Sequence, residues 1–293
     1  MAKKHDIIWL ESADSTNDEC RRRIYDIDNL SVVAALSQTS GRGQRYNRWI
    51  SSPGENLTFS VALKFPSGDG MRAKSSDLEP MHAYDQFVLS EIASLAVVDL
   101  LAEHGIEAEI KWPNDIYVGK KKICGILIEN SLRGEWIQYS IIGIGLNVNQ
   151  RNFDVTLPNP TSMALCCESS GLSKHTTSHE ARSSFEIRKI LEEFMVIFQA
   201  YLDRYCHIRG GYGRLRTMYL SHLWRKDEPA QFIDSKTACK QTSQTSTPET
   251  DFGINESVFT GIIRDLSDNG LLIVEMPDTS LKEFSFKEIS YII

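Results

Sequence analysis

The chain has 293 residues, 41% apolar and 24% charged, with a net charge of −7. This is the makeup of a soluble globular protein with room for one full core and a small second domain. The acidic balance argues against nucleic acid as the main partner, because a nucleic-acid-binding domain presents a broad basic face. No run approaches the roughly 18 apolar residues of a membrane span, and Ile7 to Leu10 is far short of a signal-peptide core. A cytoplasmic protein without membrane contact is expected.

Six cysteines, at positions 20, 124, 166, 167, 206 and 239, form no C-x-x-C pair. They read as reduced thiols, and Cys206-His207 with Cys239 lacks the spacing of a structural metal site.

In chain order, Ser15-Thr16-Asn17 reads locally as a turn or a helix cap. The segment from Gln38 to Trp49, QTSGRGQRYNRW, sets Arg42, Arg45 and Arg48 beside Gly41 and Gly43 with no acid among them. Glycines let backbone amides approach a ligand, and guanidinium forks hold phosphate or carboxylate, so the segment is a candidate anion site. It also reads as a polar hairpin loop with solvated arginines.

Leu57 to Phe65, following the Ser52-Pro53-Gly54 turn signal, is rich in strand formers. Pro66 to Pro80 is loop by composition. Phe87, Val88, Ile92, Leu95, Val98 and Leu101 then recur at helical spacing up to a stop at Gly105.

Four strand-like runs follow, Ala108 to Trp112, Ile116 to Val118, Ile123 to Glu129 and Gln138 to Asn149, predicting an antiparallel meander. The meander carries a second basic cluster, KWPNDIYVGKKK, with Lys111, Lys120, Lys121 and Lys122 against Asp115 alone. Two basic loops in an acidic chain suggest two anions brought together.

Ser183-Ser184-Phe185-Glu186 has the pattern of a capping box opening a helix with a wide apolar face from Ile187 to Tyr201. Beyond Leu223, Gly261 to Leu266, Leu271 to Met276 and Glu283 to Ile293 read as strands, with Phe284 and Phe286 at core alternation. A small SH3-like barrel is the natural candidate, interrupted by the polar stretch 235–256.

Five of these elements in this order resemble the biotin protein ligases: Ser15-Thr16-Asn17, GRGQRYNRW from Gly41, KWPNDIYVGKKKICGILIE from Lys111, IGIGLNVN from Ile142, and the C-terminal barrel. The resemblance implies an α+β fold, with a mixed, largely antiparallel sheet and packing helices in the manner of class II synthetases. It assigns residues 1–222 to a catalytic domain for biotin and ATP and residues 223–293 to the barrel.

The implied activity joins the carboxylate of biotin to the α-phosphate of ATP, with Mg²⁺, and passes the acyl group to a lysine of a biotin carboxyl carrier domain. By resemblance, Arg42, Lys122 and Asp115 are catalytic. Ser15, Thr16, Asn17, Gln38, Gly41, Arg42, Gly43, Gln44, Lys122 and Gly125 would bind biotin. Arg45, Trp49, Lys111, Asn114 and Asn147 would face the nucleotide, and Asp115 is the candidate Mg²⁺ ligand. Fixed cations aimed at the reacting oxygens would offset the repulsion between two anionic substrates.

Departures from the family pattern are Gln44, where arginine is frequent, and Tyr46-Asn47, where glycine-arginine is frequent. They predict altered retention of the acyl-adenylate. The ligase motifs begin within the first twenty residues, so no repressor function and no DNA binding are expected. The expected assembly is a monomer or a homodimer. Alternatives are a lipoate ligase of the same fold, an octanoyl transferase using Cys124, a non-catalytic biotin or nucleotide sensor, and an RNA-binding barrel.

Overall fold

The computed structural model describes residues 5–44, 48–66, 78–169, 184–206, 212–234, 258–286 and 288–292. The chain divides into two compact units, Met1–His222 and Leu223–Ile293. Within the described residues no helix is long and apolar enough to cross a membrane.

The first unit is built on a seven-stranded sheet in the order β1-β2-β3-β7-β6-β5-β4. Its strands are β1 (Ile7–Leu10), β2 (Val32–Ala35), β3 (Leu57–Lys64), β4 (Glu109–Lys111), β5 (Asp115–Val118), β6 (Lys121–Arg133) and β7 (Trp136–Leu146). β1 runs parallel to β2 and every other pairing is antiparallel, so the sheet is mixed. The β4–β7 meander follows the turn signals in the sequence, with Gly119 and Gly134 at φ of 58° and 62°. Glycine adopts that left-handed backbone without a Cβ clash.

Register decides what each face of the sheet carries. Ala62 is paired with Ile141, Ser60 with Gly143 and Thr58 with Gly145, and these positions share one side. On that side lies α1 (Thr16–Arg23), whose Cys20, with Ile24 and Ile27 just beyond it, packs on Val33, Ala62 and Ile141. α1 has little apolar sequence, but Asp18 and Glu19 in its first turn and Arg21, Arg22 and Arg23 in its last suit the helix dipole.

The other side is the main core. Phe59 meets Phe194 of α4 (Ile187–Tyr205) edge-on at 5.1 Å, and Phe194 stacks on Phe198 at 5.4 Å. α2 (Phe87–Glu103) is buried at every residue from Phe87 to Val98, Ser90, Glu91 and Ser94 included, so it is a central helix and not an amphipathic one with a single stripe. Gly105, at φ 71°, stands just beyond its end as expected. α3 (Met163–Ser169) and α5 (Gly213–Ser221) complete the layer set.

The predicted capping box does not open α4. Its N-cap is Glu186, which makes no side-chain cap bond among the described residues, and Ser183 lies outside them. The amide of Asn149 takes both backbone groups of Phe185, accepting from its N–H at 2.8 Å and donating to its carbonyl at 2.9 Å. That pairing holds the segment extended, so the helix begins only after it.

In the second unit, β8 (Pro229–Asp234), β9 (Val258–Leu266), β10 (Leu272–Glu275), β11 (Leu281–Phe284) and β12 (Ile289–Tyr291) form a five-stranded sheet in the order β11-β10-β9-β8-β12. The run predicted as one strand from Glu283 to Ile293 is two. A turn in which the Glu288 N–H donates to the Ser285 carbonyl sends β12 to the far edge, against β8. Phe284 is buried in a row with Phe259 and Phe232, whereas Phe286 is 38% exposed, so the expected alternation ends at Phe284. The stretch 235–256 and Cys239 lie outside the described residues.

Candidate active site

The α1 face of β6 and β7 is floored by glycine. Gly125 pairs with Gly145 and Leu127 with Gly143, so Gly143 and Gly145 sit on the side shared with Gly125. A Cβ on Gly143 would lie 2.8 Å from Asn17 Cγ, and one on Gly145 would lie 2.7 Å from Trp49 Nε1. Only glycine lets the start of α1 and the indole approach the sheet so closely.

The entrance segment is tied to the glycine loop by backbone. The Ala13 N–H donates to the Ser37 carbonyl at 3.0 Å, and the Thr39 N–H donates to the Ala13 carbonyl at 3.0 Å. Gln38 Oε1 accepts from the Thr16 N–H at 2.8 Å, while Trp49 N–H closes the loop on the Gly41 carbonyl at 3.0 Å. Ser60, from β3, lies 2.8 Å from the Thr16 hydroxyl and donates to Asn17 Oδ1 at 2.6 Å. Ser15, Thr16 and Asn17 are all buried, and Ser15 is the N-cap of α1 with no side-chain cap bond.

Asn17 is a hub. Its Nδ2 donates to Glu129 Oε2 at 2.8 Å and to the Leu127 carbonyl at 3.3 Å. Glu129 also receives Arg42 Nη2 at 2.7 Å and Arg21 Nη2 at 2.8 Å, and Arg42 Nη2 stands 2.8 Å from Asp18. Burial alone would raise the Glu129 carboxyl, but the Asn17 and Arg21 hydrogen bonds and the Arg42 charge outweigh it and hold it below the ordinary range. Arg42 Nε is buried and has no hydrogen-bond partner among the described residues.

At the other end of the glycine floor, Lys122 Nζ pairs with Asp115 Oδ1 at 2.6 Å and lies 5.7 Å from the centre of the Trp49 ring, a cation–π distance. A Cβ on Gly125 would lie 3.1 Å from Trp49 Cζ3 and 3.2 Å from Lys122 Nζ. The backbone of Lys122 is held on both sides by the segment from Asn159 to Thr161. Trp49 Nε1 is buried without a partner among the described residues.

Asn114 donates to the Ile126 carbonyl and accepts from the Ile126 N–H, locking the turn after Pro113 to β6. Lys111 lies 5.0 Å from the Tyr117 ring centre, and burial lowers its ammonium pKa while Asp115 pulls it back up. Asn147 donates to the Thr161 carbonyl at 2.9 Å and leaves Oδ1 buried with no partner among the described residues. A buried acceptor without a partner is costly, and a ligand donor would relieve it.

Of the expected site residues, the structure therefore gathers Ser15, Thr16, Asn17, Gln38, Gly41, Arg42, Trp49, Asn114, Asp115, Lys122, Gly125 and Asn147 around one sheet face, with Gly43 and Gln44 in the same loop. Arg45, Tyr46 and Asn47 lie outside the described residues. Arg42 and Lys122 do not share an acid: one ends at Glu129 and the other at Asp115. Glu129 and Gly125 are four residues apart on one strand, about 13 Å at the usual rise.

Sequence reasoning passed over Glu129, Asp18 and Ser60. The only signal for Glu129 was an acid closing the otherwise apolar alternation of ICGILIE.

No group of three His, Cys, Asp or Glu capable of holding a metal occurs among the described residues. Asp115 can offer a single carboxylate to a cation that brings its remaining ligands with a nucleotide. No disulfide joins the five described cysteines. Cys124 is buried, and burial pushes its thiol far above the ordinary range, the wrong direction for a nucleophile.

Residues 9–147 match the model of the biotin/lipoate A/B protein ligase family. The bifunctional ligase/repressor BirA of Bacillus spizizenii is 37% identical over 125 residues, 42% of this chain and 34% of its own, so the chain spans about a third of that relative's length. The biotin–[acetyl-CoA-carboxylase] ligase of Paracoccus denitrificans is 27% identical over 92% of this chain and 93% of its own. The fold is that of the Aquifex aeolicus biotin protein ligase solved with biotin and ATP, with a TM-score of 0.67, 21% identity and 98% of each chain covered. Residues 9–147 thus match the biotin/lipoate A/B protein ligase domain, and the relatives named here that share this segment are biotin protein ligases.

Proposed function

We propose that the chain is an ATP-dependent biotin protein ligase acting on a lysine of a biotin carboxyl carrier domain. The observation that carries this reading is the glycine floor under Trp49 and Lys122, flanked by buried polar atoms of Arg42, Trp49 and Asn147 that have no partner among the described residues. The floor accepts a flat apolar ring, and the polar atoms await a ligand with both acceptors and donors.

In the first step the biotin carboxylate attacks the α-phosphorus of ATP and pyrophosphate leaves. Lys122, released from Asp115, would meet the developing charge on the phosphate oxygens, and the backbone of Gly43 and Gln44 would cover the carboxylate. In the second step the acceptor amine attacks the acyl carbon, AMP leaves, and Asp115 would take the proton.

Ser15, Thr16 and Gln38 would pair the ureido edge of biotin, beside Gly41, Gly125 and Asn17. Arg45, Trp49, Lys111, Asn114 and Asn147 would line the nucleotide side. Mg²⁺ would neutralise the ATP phosphates and take one carboxylate, Asp115, from the protein. We read residues 1–222 as the catalytic domain, residues 223–293 as an SH3-like barrel and the assembly as a monomer or a homodimer, in the cytoplasm. The order β11-β10-β9-β8-β12 supports the barrel reading.

The test is pyrophosphate release from ATP and Mg²⁺ with biotin, lipoate or octanoate, with and without a carrier domain. Biotin-dependent release supports the proposal. Release driven by lipoate alone makes the substrate wrong, and biotin binding without release makes the chain a sensor.

A further inference from the structure

Arg42 is expected to grip the anionic end of the substrates, yet in this structure its terminal nitrogen is already engaged. Nη2 donates to Glu129 at 2.7 Å and stands 2.8 Å from Asp18. Glu129 Oε2 is shared with Asn17 Nδ2, and Oε1 receives Arg21. One carboxylate on β6 therefore joins the glycine loop, through Arg42, to two residues of α1.

The local charges cancel: Arg42 and Arg21 stand against Asp18 and Glu129. Such a cluster attracts a distant anion weakly, so Arg42 contributes direction more than net field. With Nη2 anchored, the guanidinium plane is set, and its buried Nε–H has no partner among the described residues. Guanidinium donors occupy fixed directions in one plane, so anchoring one nitrogen aims the others.

We propose that Glu129, with Asp18, is a positioning residue of this site, holding Arg42 and through it the glycine loop so that the Arg42 Nε–H faces the anionic ligand. The kinetic half of this inference rests on the ligase reading above; the loop-ordering half does not. Glu129 touches no reacting atom. It acts through Arg42, and the Gly41 to Gln44 backbone follows the side chain because Arg42 lies within that segment.

A double-mutant cycle on the full chain tests it, using Glu129→Gln, Arg42→Ala and the pair, with amide hydrogen exchange over Gly41 to Gln44 and biotin-dependent ATP–pyrophosphate exchange. Glu129→Gln should speed loop exchange and raise the KM for biotin, each by about tenfold, with a smaller change in kcat, and should add nothing once Arg42 is gone. Asp18→Asn, on the same guanidinium, should show the same pattern more weakly and serves if Glu129→Gln folds poorly.

Loop exchange unchanged in Glu129→Gln, or effects that add fully across the cycle, would overturn the inference and make Glu129 a residue of sheet stability alone. A wild-type chain inactive with every acid would sink the ligase reading, while the hydrogen-exchange cycle would still decide the role of Glu129.

Discussion

The indole of Trp49 rests against the backbone of Gly145, where a Cβ would lie 2.7 Å from Nε1 and 2.8 Å from Cδ2. Nothing else on β7 lets the glycine loop reach the sheet at this point. Gly145→Ala should therefore expel the ring and disturb its contact with Lys122, at the 1–3 kcal/mol, roughly, that overpacking costs. We expect biotin affinity, measured by calorimetry, to fall by roughly five- to 150-fold by that arithmetic. Unchanged affinity would mean that the ring is displaced when ligand binds.

Lys122 and Asp115 form the second paired cation of the site, 2.6 Å apart and both partly exposed. A partly exposed pair contributes about 1 kcal/mol or less to folding, so Lys122→Ala should leave the thermal midpoint nearly unchanged. Charge stabilisation in the transition state is worth far more, and pyrophosphate release should fall by roughly 10²–10³. A variant that lost both activity and midpoint together would instead place Lys122 in the fold.

The meander and its turns were legible because glycine, proline and alternating apolar residues stand side by side in the sequence. The two basic segments adjoin one sheet, the first linking β2 to β3 and the second running from β4 into β6. The pairing of each cation was not legible. Arg42 meets Glu129 across 87 positions, and an acid at the end of a strand looks solvated until the register turns it toward a helix. α1 escaped because TNDECRRR shows no apolar stripe, its burial coming from Thr16, Asn17 and Cys20. The Glu283–Ile293 run misled because alternation continues through the Ser285–Glu288 turn in sequence but not in space.

Gln44 follows Gly43 in the loop, at a position where the resembling family often carries arginine. A neutral amide there offers no charge-assisted bond to a phosphate, so an adenylate would be held less firmly. Gln44→Arg should slow the escape of free biotinyl-adenylate by about threefold or more, one added charged hydrogen bond allowing for loop entropy. The readout is adenylate released to solution in single-turnover reactions without acceptor. Equal escape from both chains would remove Gln44 from the account of retention.

Glu91 lies fully buried in α2, with Arg216 of α5 on one carboxylate oxygen and the other oxygen without a hydrogen-bond partner among the described residues. Burial pushes its carboxyl up to about 7, against the opposing pull of Arg216. The folded chain thus holds a proton that the unfolded chain, near the ordinary 4.5, has released. Between those values the native state binds more protons, so unfolding free energy from this group is fully present below the lower one and is lost as pH rises through the higher. The loss should amount to a few kcal/mol at most, since relaxation and water entry soften buried charges. The pair also backs the proposed nucleotide side: Ser90, beside Glu91, and Tyr219, on the helix of Arg216, both donate to the Pro113 carbonyl, at 3.2 Å and 3.4 Å. Urea unfolding of the wild-type chain between pH 5 and pH 8, the span in which such a group titrates, should show stability declining with rising pH, and Glu91→Gln should flatten that decline. A slope that survives the substitution would assign it to another group and leave Glu91 ionised against Arg216 throughout.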